Sequence, residues 1–414
     1  DAVKAAVLGY GTVGAGVYSM LSDAPGMEAG PVLVRPGKAV ESFMVSDAAL
    51  IFGDPTVDAV VETLGGLDPA YSYGMRALEA GKHFITANKA MVAAHGLELA
   101  ALAREKGAAF LFSAACGGGV PFLHNLALSA ETDRIEAVSG ILNGTTNYIL
   151  TKMDEDCASY EKVLKEAQEL GYAETDPTGD VEGFDAAYKI VTLATIAFGK
   201  RIKIDNTYRE GITKISAKDI QRANELGYKI KLIASAELNS DNVADVRVHP
   251  MLVPKEHVLA KINNVTNAVM LSGEPVGEIM FTGPGAGEFP TASSVVGDIL
   301  ALCAEVKRTA YPLPMMRCNH SETAESLSID ETTNRYYIML NTIDTPGAIG
   351  VIGTICGKHN INLSDILQKG SQGGKAEVVI ITGLCNEGNI KDALDEMKKS
   401  NVIEEVKSLI RVMN

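Results

Sequence analysis

An aspartate and a lysine four residues apart, Asp185 and Lys189, open a stretch that is apolar on nearly every side from 185 to 198. A helix apolar all round belongs in a protein interior, and the i,i+4 spacing puts both ionisable groups on one face. An unpaired charge in an interior is very costly, and a cation near a helix N-terminus is further opposed by the macrodipole. Something anionic must therefore compensate Lys189. Two readings fit these residues. In one, Asp185 caps the first turn and forms a buried ion pair with Lys189. In the other, Lys189 is a catalytic lysine facing a pocket lined by Glu174, Asp180 and Asp185, since perturbed ionisable groups gather at active sites. A second lysine ends Thr86-Ala87-Asn88-Lys89, directly after a predicted strand. Ligands of open α/β sheets sit beyond the carboxyl ends of strands, so Lys89 faces either a cofactor crevice or solvent.

The elements that must position these groups begin with a short apolar run, 3–8, followed by Gly9-Tyr10-Gly11-Thr12-Val13-Gly14 and a helical pattern to about 21. Strand, glycine turn, helix is the setting in which G-x-G-x-x-G binds a dinucleotide: the turn is tight, the backbone approaches the pyrophosphate, and helix amides face the phosphates. The next strand, 32–34, ends at Arg35 with Lys38 behind it, where a cofactor without a 2'-phosphate would meet an acidic residue. That favours NADP over NAD. Strand 59–62 ends at Thr63-Leu64-Gly65-Gly66, strand 83–86 at Asn88 and Lys89, and helix 91–106 follows. A fifth strand, 109–112, leads into the glycine-rich 113–121, suited to close backbone approach. The expected dinucleotide-binding domain is 1–130, completed by a return segment, 283–313, in which Gly285 and Ala286 face the crevice.

Residues 131–282 read as an α+β domain. Strand 135–142 is broken by Asn143-Gly144, and Thr145-Thr146-Asn147 offers groups that either cap helix 148–153 or bind substrate. Helix 159–170 leads to the carboxylate-rich loop holding Tyr172, Glu174, Asp176 and Asp180. A helix at 217–226 and strands at 229–238, 243–250 and 267–272 follow, and a helix at 295–306 closes the return. A polar linker, 314–330, precedes a tail, 331–414, that reads strand 336–343, helix 348–359, strands 361–368 and 376–382, helix 389–399 and strand 402–412. That βαββαβ order is a ferredoxin-like sandwich. Its residues form no acid/base constellation, which fits a ligand-binding or assembly module. The fold class expected is α/β, a Rossmann-type doubly wound domain followed by an α+β domain and this tail.

Composition excludes several classes. The 414 residues are 46% hydrophobic and 21% charged, with no apolar run long enough to span a membrane. A net charge of -15 argues against nucleic acid or anionic membrane as a general partner. The six cysteines show neither close pairing nor metal-ligand spacing, which fits a reducing cytoplasm. No signal peptide is expected, because the first strand begins within a few residues of the start.

With these motifs in view, the sequence resembles the homoserine dehydrogenases with a C-terminal ACT domain over essentially its whole length. The resemblance is carried by the N-terminal glycine turn, Thr86 to Lys89, Gly140 to Leu150, the 171–189 stretch with its Asp176-Pro177 to Lys189 spacing, and Gly283 to Gly287 with Thr291-Ala292-Ser293. It implies NAD(P)H-dependent, reversible reduction of L-aspartate 4-semialdehyde to L-homoserine on the route to threonine and methionine. Lys89, Lys189 and Asp185 would be catalytic. Glu174, Asp180, Asp176, Thr145, Gly144 and Tyr172 would bind substrate, and Gly9, Gly11, Thr12, Val13, Gly14, Arg35, Lys38, Thr63, Gly65, Asn88, Lys89, Gly285 and Ala286 the cofactor. Family members with a monovalent cation commonly carry a glutamate where this chain has Ser113, so no metal is expected. The tail implies an amino-acid effector, threonine foremost, at Asp344, Pro346, Gly347, Ala348, Ile349 and Asn362, and at least a dimer, a homodimer or homotetramer. Rival readings are a dehydrogenase of another short semialdehyde or hydroxy acid, and a non-catalytic amino-acid sensor.

Overall fold

The computed structural model describes residues 2–24, 26–120, 122–305 and 322–413. Pro121, Val306, Cys318 and the 314–321 part of the expected linker lie outside the described residues. Two sheets organise the chain. The first has six parallel strands in the order Met44–Val45, Met27–Leu33, Val3–Leu8, Ala59–Glu62, His83–Thr86, Phe110–Leu111. Its inner strands Val3–Leu8, Ala59–Glu62 and His83–Thr86 are short runs buried at nearly every position, as a parallel sheet flanked by helices requires. The edge strand Met44–Val45 has only two residues, too short for a pattern to reveal.

The return segment differs from the expectation in extent. Strand Gly277–Pro284 pairs with Thr266–Glu274, and the helix that follows begins at Glu288 and runs to Glu305, earlier than the expected 295. This helix lies on the helix Thr12–Asp23. A Cβ added at Gly16 would lie 3.2 Å from Ala292 and 3.2 Å from Glu288. The chain thus comes back onto the nucleotide-binding layer.

The second sheet is continuous from the middle of the chain through the tail, with twelve strands. Its main path runs Gly277–Pro284, Thr266–Glu274, Arg134–Ile141, Tyr228–Leu238, Val243–Pro254, Ile403–Val412, Thr333–Ile343, Lys375–Thr382, Leu363–Gln372. The tail has the expected βαββαβ order with helices Ala348–Lys358 and Glu387–Met397. Its last strand also pairs with the central layer, Met251 with Arg411 and Leu252 with Val412. Pattern alone does not reveal such a junction, because an edge-to-edge pairing leaves no mark on either strand's alternation.

The tail topology divides the expected effector residues between two ends of its sheet. Strands Thr333–Ile343 and Leu363–Gln372 both run antiparallel to Lys375–Thr382, with Ile343 opposite Lys375 and Leu363 opposite Thr382. The turn holding Asp344, Pro346 and Gly347 and the start of helix Ala348–Lys358 therefore lie at one end of this sheet. Asn362 lies at the other. Two parallel strands place the exit of one and the entry of the other at opposite ends, so these residues of a single chain do not share one site.

Candidate active site

Helix Phe184–Phe198 carries the central groups, burying Asp185, Lys189 and most of its apolar residues. Its N-cap is Gly183, with φ +80° and no side-chain cap bond, so Asp185 does not cap the helix as the structural reading expected. The carboxylate has other partners. Its Oδ2 accepts from Lys189 Nζ at 2.8 Å and from Asn143 Nδ2 at 2.8 Å, and its Oδ1 forms an ion pair with Lys89 Nζ. Lys189 also donates to the Leu142 carbonyl at 2.7 Å. Two ammonium groups from separate layers thus meet on one buried carboxylate.

Electrostatics follow this arrangement. Burial pushes the Asp185 pKa upward, but Lys189 and Lys89 outweigh it and hold the carboxyl well below the usual carboxylate range. Burial lowers the Lys89 pKa, and Asp185, with Asp180 and Glu174 further off, raises it above the ordinary lysine value. Asp180 is pushed up by its own burial and by the Asp185 charge. The Lys189 side chain is 8% exposed and that of Lys89 45%. Lys89 is therefore the member of the pair open to an incoming molecule.

Lys89 opens the helix Lys89–Lys106, which Asn88 caps by accepting from Met91 N at 3.1 Å. The other end of that amide donates to Gly66 O at 2.5 Å. Asn88 thus fixes the loop that presents Lys89. Asp176 is likewise taken up locally: its Oδ1 accepts from Thr178 N and Oγ1 at 3.1 and 2.6 Å, an Asx turn. Thr145 Oγ1 donates to Tyr172 O at 2.8 Å, and Tyr172, 46% exposed, leans its ring on Tyr148. The helix expected at 148–153 runs Gly144–Asp156 and is capped by Asn143, which accepts from Thr146 N at 2.8 Å. Thr145 to Asn147 do not cap it. Gly144 has a backbone reason, since a Cβ there would lie 2.8 Å from Val265 O. Glu174 is exposed and Asp180 is half-buried on Asn143 Nδ2 at 2.7 Å, leaving both within electrostatic reach of Lys89.

The nucleotide end is a cavity of about 1210 Å³ lined by Gly9, Gly11, Arg35, Lys38, Thr63 and Gly65, with Tyr10 and Phe43 among its walls. The turn fits a pyrophosphate. Gly9 takes φ +101°, a Cβ at Gly14 would lie 2.2 Å from Gly9 O, and nothing stands within 4 Å of a Cβ at Gly11. Gly11 makes no side-chain cap for the helix Thr12–Asp23; Gly9, Tyr10 and Gly11 line the cavity, and Thr12, Val13 and Gly14 follow them at the start of that helix. Thr63 donates to Leu8 O at 3.0 Å and steadies the turn. Gly285 is buried and Ala286 exposed. Gly118 and Gly285 pack so closely that a Cβ at Gly118 would lie 2.8 Å from Gly285 C, which brings the return segment against the glycine-rich loop.

Four groups escaped the sequence reading. Glu62, fully buried, accepts from Leu64 N and Gly65 N at 2.6 and 3.0 Å and from Thr86 Oγ1 at 2.5 Å, shaping two of the loops around Lys89. An acid closing an otherwise apolar strand was the available signal. Asn143 braces Asp180 and Asp185, and Asn267 donates to Leu142 O. Asp298, buried on the return helix, accepts from Ser113 N and Oγ at 3.0 and 2.6 Å, and burial pushes its carboxyl up to about 7. Beside Ser113, which stands where cation-binding relatives carry a glutamate, the carboxylate of Asp298 comes from helix Glu288–Glu305 and is taken up by Ser113, while Gly118 O accepts from Ser294 Oγ. Among the described residues no group of three or more His, Cys, Asp or Glu side chains is gathered as a metal would require.

A parallel sheet with a glycine turn at its first strand end and lysines converging beside it defines a dinucleotide-dependent oxidoreductase. Residues 9–113 match the family model described as homoserine dehydrogenase, NAD binding domain, and residues 121–300 the model described as homoserine dehydrogenase. The chain is 39% identical to the homoserine dehydrogenase of Synechocystis sp., with 100% of both chains covered, and 36% identical to that of Bacillus subtilis over 99% of this chain and 98% of the relative. A homoserine dehydrogenase structure from Thiobacillus denitrificans superposes with a TM-score of 0.93 at 33% identity, covering 100% of this chain and 99% of that one. A hyperthermophilic archaeal homoserine dehydrogenase, in complex with NADPH, shares the fold at TM-score 0.64 and 24% identity, over 76% of this chain and 99% of that one. The chain belongs to the homoserine dehydrogenase family.

Proposed function

We propose that this chain reversibly reduces L-aspartate 4-semialdehyde to L-homoserine with NADPH, on the route to threonine and methionine, Lys89 and Lys189 acting at the carbonyl oxygen while Asp185 holds both. The observation that carries this reading is the single buried carboxylate shared by the two lysines. NADPH supplies the hydride when bound. Lys189, fixed by Leu142 O and Asp185, and Lys89, closer to solvent, stabilise the oxygen as it gains negative charge, and the pair is the source of its proton. Glu174 and Asp180 receive the substrate's ammonium. Holding substrate and cofactor side by side makes the transfer nearly unimolecular.

Arg35 and Lys38 at the nucleotide cavity support NADP as the preferred cofactor, with NAD as the weaker one. The βαββαβ tail supports an ACT-type regulatory module with threonine as effector. Because Asp344 and Asn362 sit at opposite ends of one tail sheet, a site using both is completed by a second copy, which makes the working form a homodimer or homotetramer. The thiols of Cys116, Cys157, Cys356 and Cys385 are free, which fits a cytoplasmic setting. No helix of the described residues is long and apolar enough to cross a membrane.

The test is a spectrophotometric assay of NADPH formation from L-homoserine and NADP. Lys189→Ala and Lys89→Ala are each expected to lose roughly 10²–10⁴-fold in kcat. A Lys189→Ala enzyme that keeps most of its turnover refutes the assignment of Lys189.

A further inference from the structure

Asn267 lies on strand Thr266–Glu274, away from every motif of the sequence, and is 2% exposed. Its Nδ2 donates to Leu142 O at 3.0 Å. The same carbonyl accepts from Lys189 Nζ at 2.7 Å. A carbonyl has two lone pairs, so Asn267 occupies one and leaves the other directed at the lysine. The amide's own Oδ1 is buried without a hydrogen-bond partner among the described residues. A buried acceptor lacking a donor is destabilising. If this position only filled space, an apolar residue would serve better, and what the amide adds is its N–H on Leu142.

The side chain is also wedged. A Cβ at Gly285 would lie 2.0 Å from Asn267 Nδ2 and 2.5 Å from its Oδ1. Gly285 also packs closely against Gly118, where an added Cβ would lie 2.8 Å from Gly285 C. The glycine-rich return segment therefore sets the position of the Asn267 amide, which sets the Leu142 carbonyl, which sets Lys189. Leu142 precedes Asn143, whose amide braces Asp180 and Asp185, so the same peptide links both supports of the lysine site.

We infer that Asn267 is a positioning residue: held against Gly285, it orients the Leu142 carbonyl that fixes Lys189. This rests on the reading of Lys189 as a group acting at the substrate carbonyl. Asn267→Ala is expected to lower kcat roughly tenfold to a hundredfold with little change in KM. Asn267→Asp keeps the shape and donates to Leu142 only when protonated. Its kcat falls with rising pH along a limb that the wild-type enzyme lacks, a signature that a merely structural role does not produce. Gly285→Ala is expected to be severe alone and milder in the Asn267→Ala background, where the added methyl has room. NADPH binding followed by fluorescence and thermal unfolding of each variant separates these effects from loss of cofactor or fold. Folded Asn267 variants with wild-type kcat and pH profile, beside an inactive Lys189→Ala enzyme, overturn this inference alone. An active Lys189→Ala enzyme overturns the reading beneath it. Should Asn267→Ala fail to fold, the isosteric Asn267→Asp profile decides.

Discussion

Lys189 Nζ lies 2.8 Å from Asp185 Oδ2, one helical turn away, while the other oxygen of that carboxylate pairs with Lys89 from a different layer. Two ammonium groups share one carboxylate at contact distance, with Asp180 and Glu174 further off, so both N–H donor sets are held ready for a developing alkoxide.

Replacing that anion has a defined effect on pH. The Asp185 charge is the largest influence raising the Lys89 pKa. Asp185→Asn therefore lowers the pKa of Lys89, and the alkaline limb of kcat/KM moves to lower pH. Stability changes in the opposite range. The folded carboxyl is held below its unfolded value, so its contribution is present above about pH 4 and is lost as pH falls through the folded value. Profiles of kcat/KM from about pH 7 to about pH 11.5, past the ordinary lysine value, check the first statement. An alkaline limb that stays in place would show that Lys89 is not the titrating group.

At the far end of the crevice, Arg35 lines the same cavity as Gly9 and Gly11. A charge-assisted contact with a 2'-phosphate is worth roughly 1.5–3 kcal/mol, and NAD has no phosphate to make it. Arg35→Ala should reduce the ratio of kcat/KM for NADP to that for NAD roughly tenfold to a hundredfold, mostly by weakening NADP. An unchanged ratio removes Arg35 from the selectivity determinants.

Asp298 provides a stability prediction. Its folded pKa is raised to about 7, so its favourable contribution is complete below the unfolded value near pH 4 and is lost as pH rises to about 7. Asp298→Asn cannot ionise and should remove this pH dependence, becoming more stable than wild type at neutral pH by at most about 4 kcal/mol, less the strength of any bond to Ser113 that the amide fails to reproduce. Urea midpoints measured between about pH 4 and about pH 8 test the slope. Parallel curves for the two proteins would show that Asp298 is not the source.

The parts of the fold legible in the sequence were those written in local pattern. Gly9 to Gly14 between an apolar run and a helix gave the nucleotide turn, and the apolar stretch around Asp185 and Lys189 gave a buried helix with two ionisable groups on one face. What escaped was contact between distant segments. Asp298 meets Ser113 across 185 positions, and Asn267 meets Leu142 across 125, with nothing in either local pattern to link them. Asp176 and Asn88 each bond an amide at the helix start beside them, because short side chains there bond the nearest free amide first, a local role that their motifs did not announce. Arg411 illustrates the limit again. It sits in an ordinary final strand and proves to be buried against Glu387 and Glu210, joining tail and central layer at their shared sheet.

The opposite placement of Asp344 and Asn362 leads to a test of the tail that does not depend on seeing a ligand. If threonine binds at the Asp344 turn of one chain and the Asn362 loop of another, each of Asp344→Ala and Asn362→Ala alone loses the inhibition of turnover by threonine, since every site in either homodimer contains the damaged residue. In a dimer formed from one copy of each variant the two substitutions fall together in one of two sites, and the other site is intact. Co-expression with two different affinity tags, followed by sequential purification of the mixed dimer, should therefore recover part of the threonine response that both parents lack. A mixed dimer as insensitive as its parents, although wild type responds, would show that Asp344 and Asn362 act within one chain and not across a shared site.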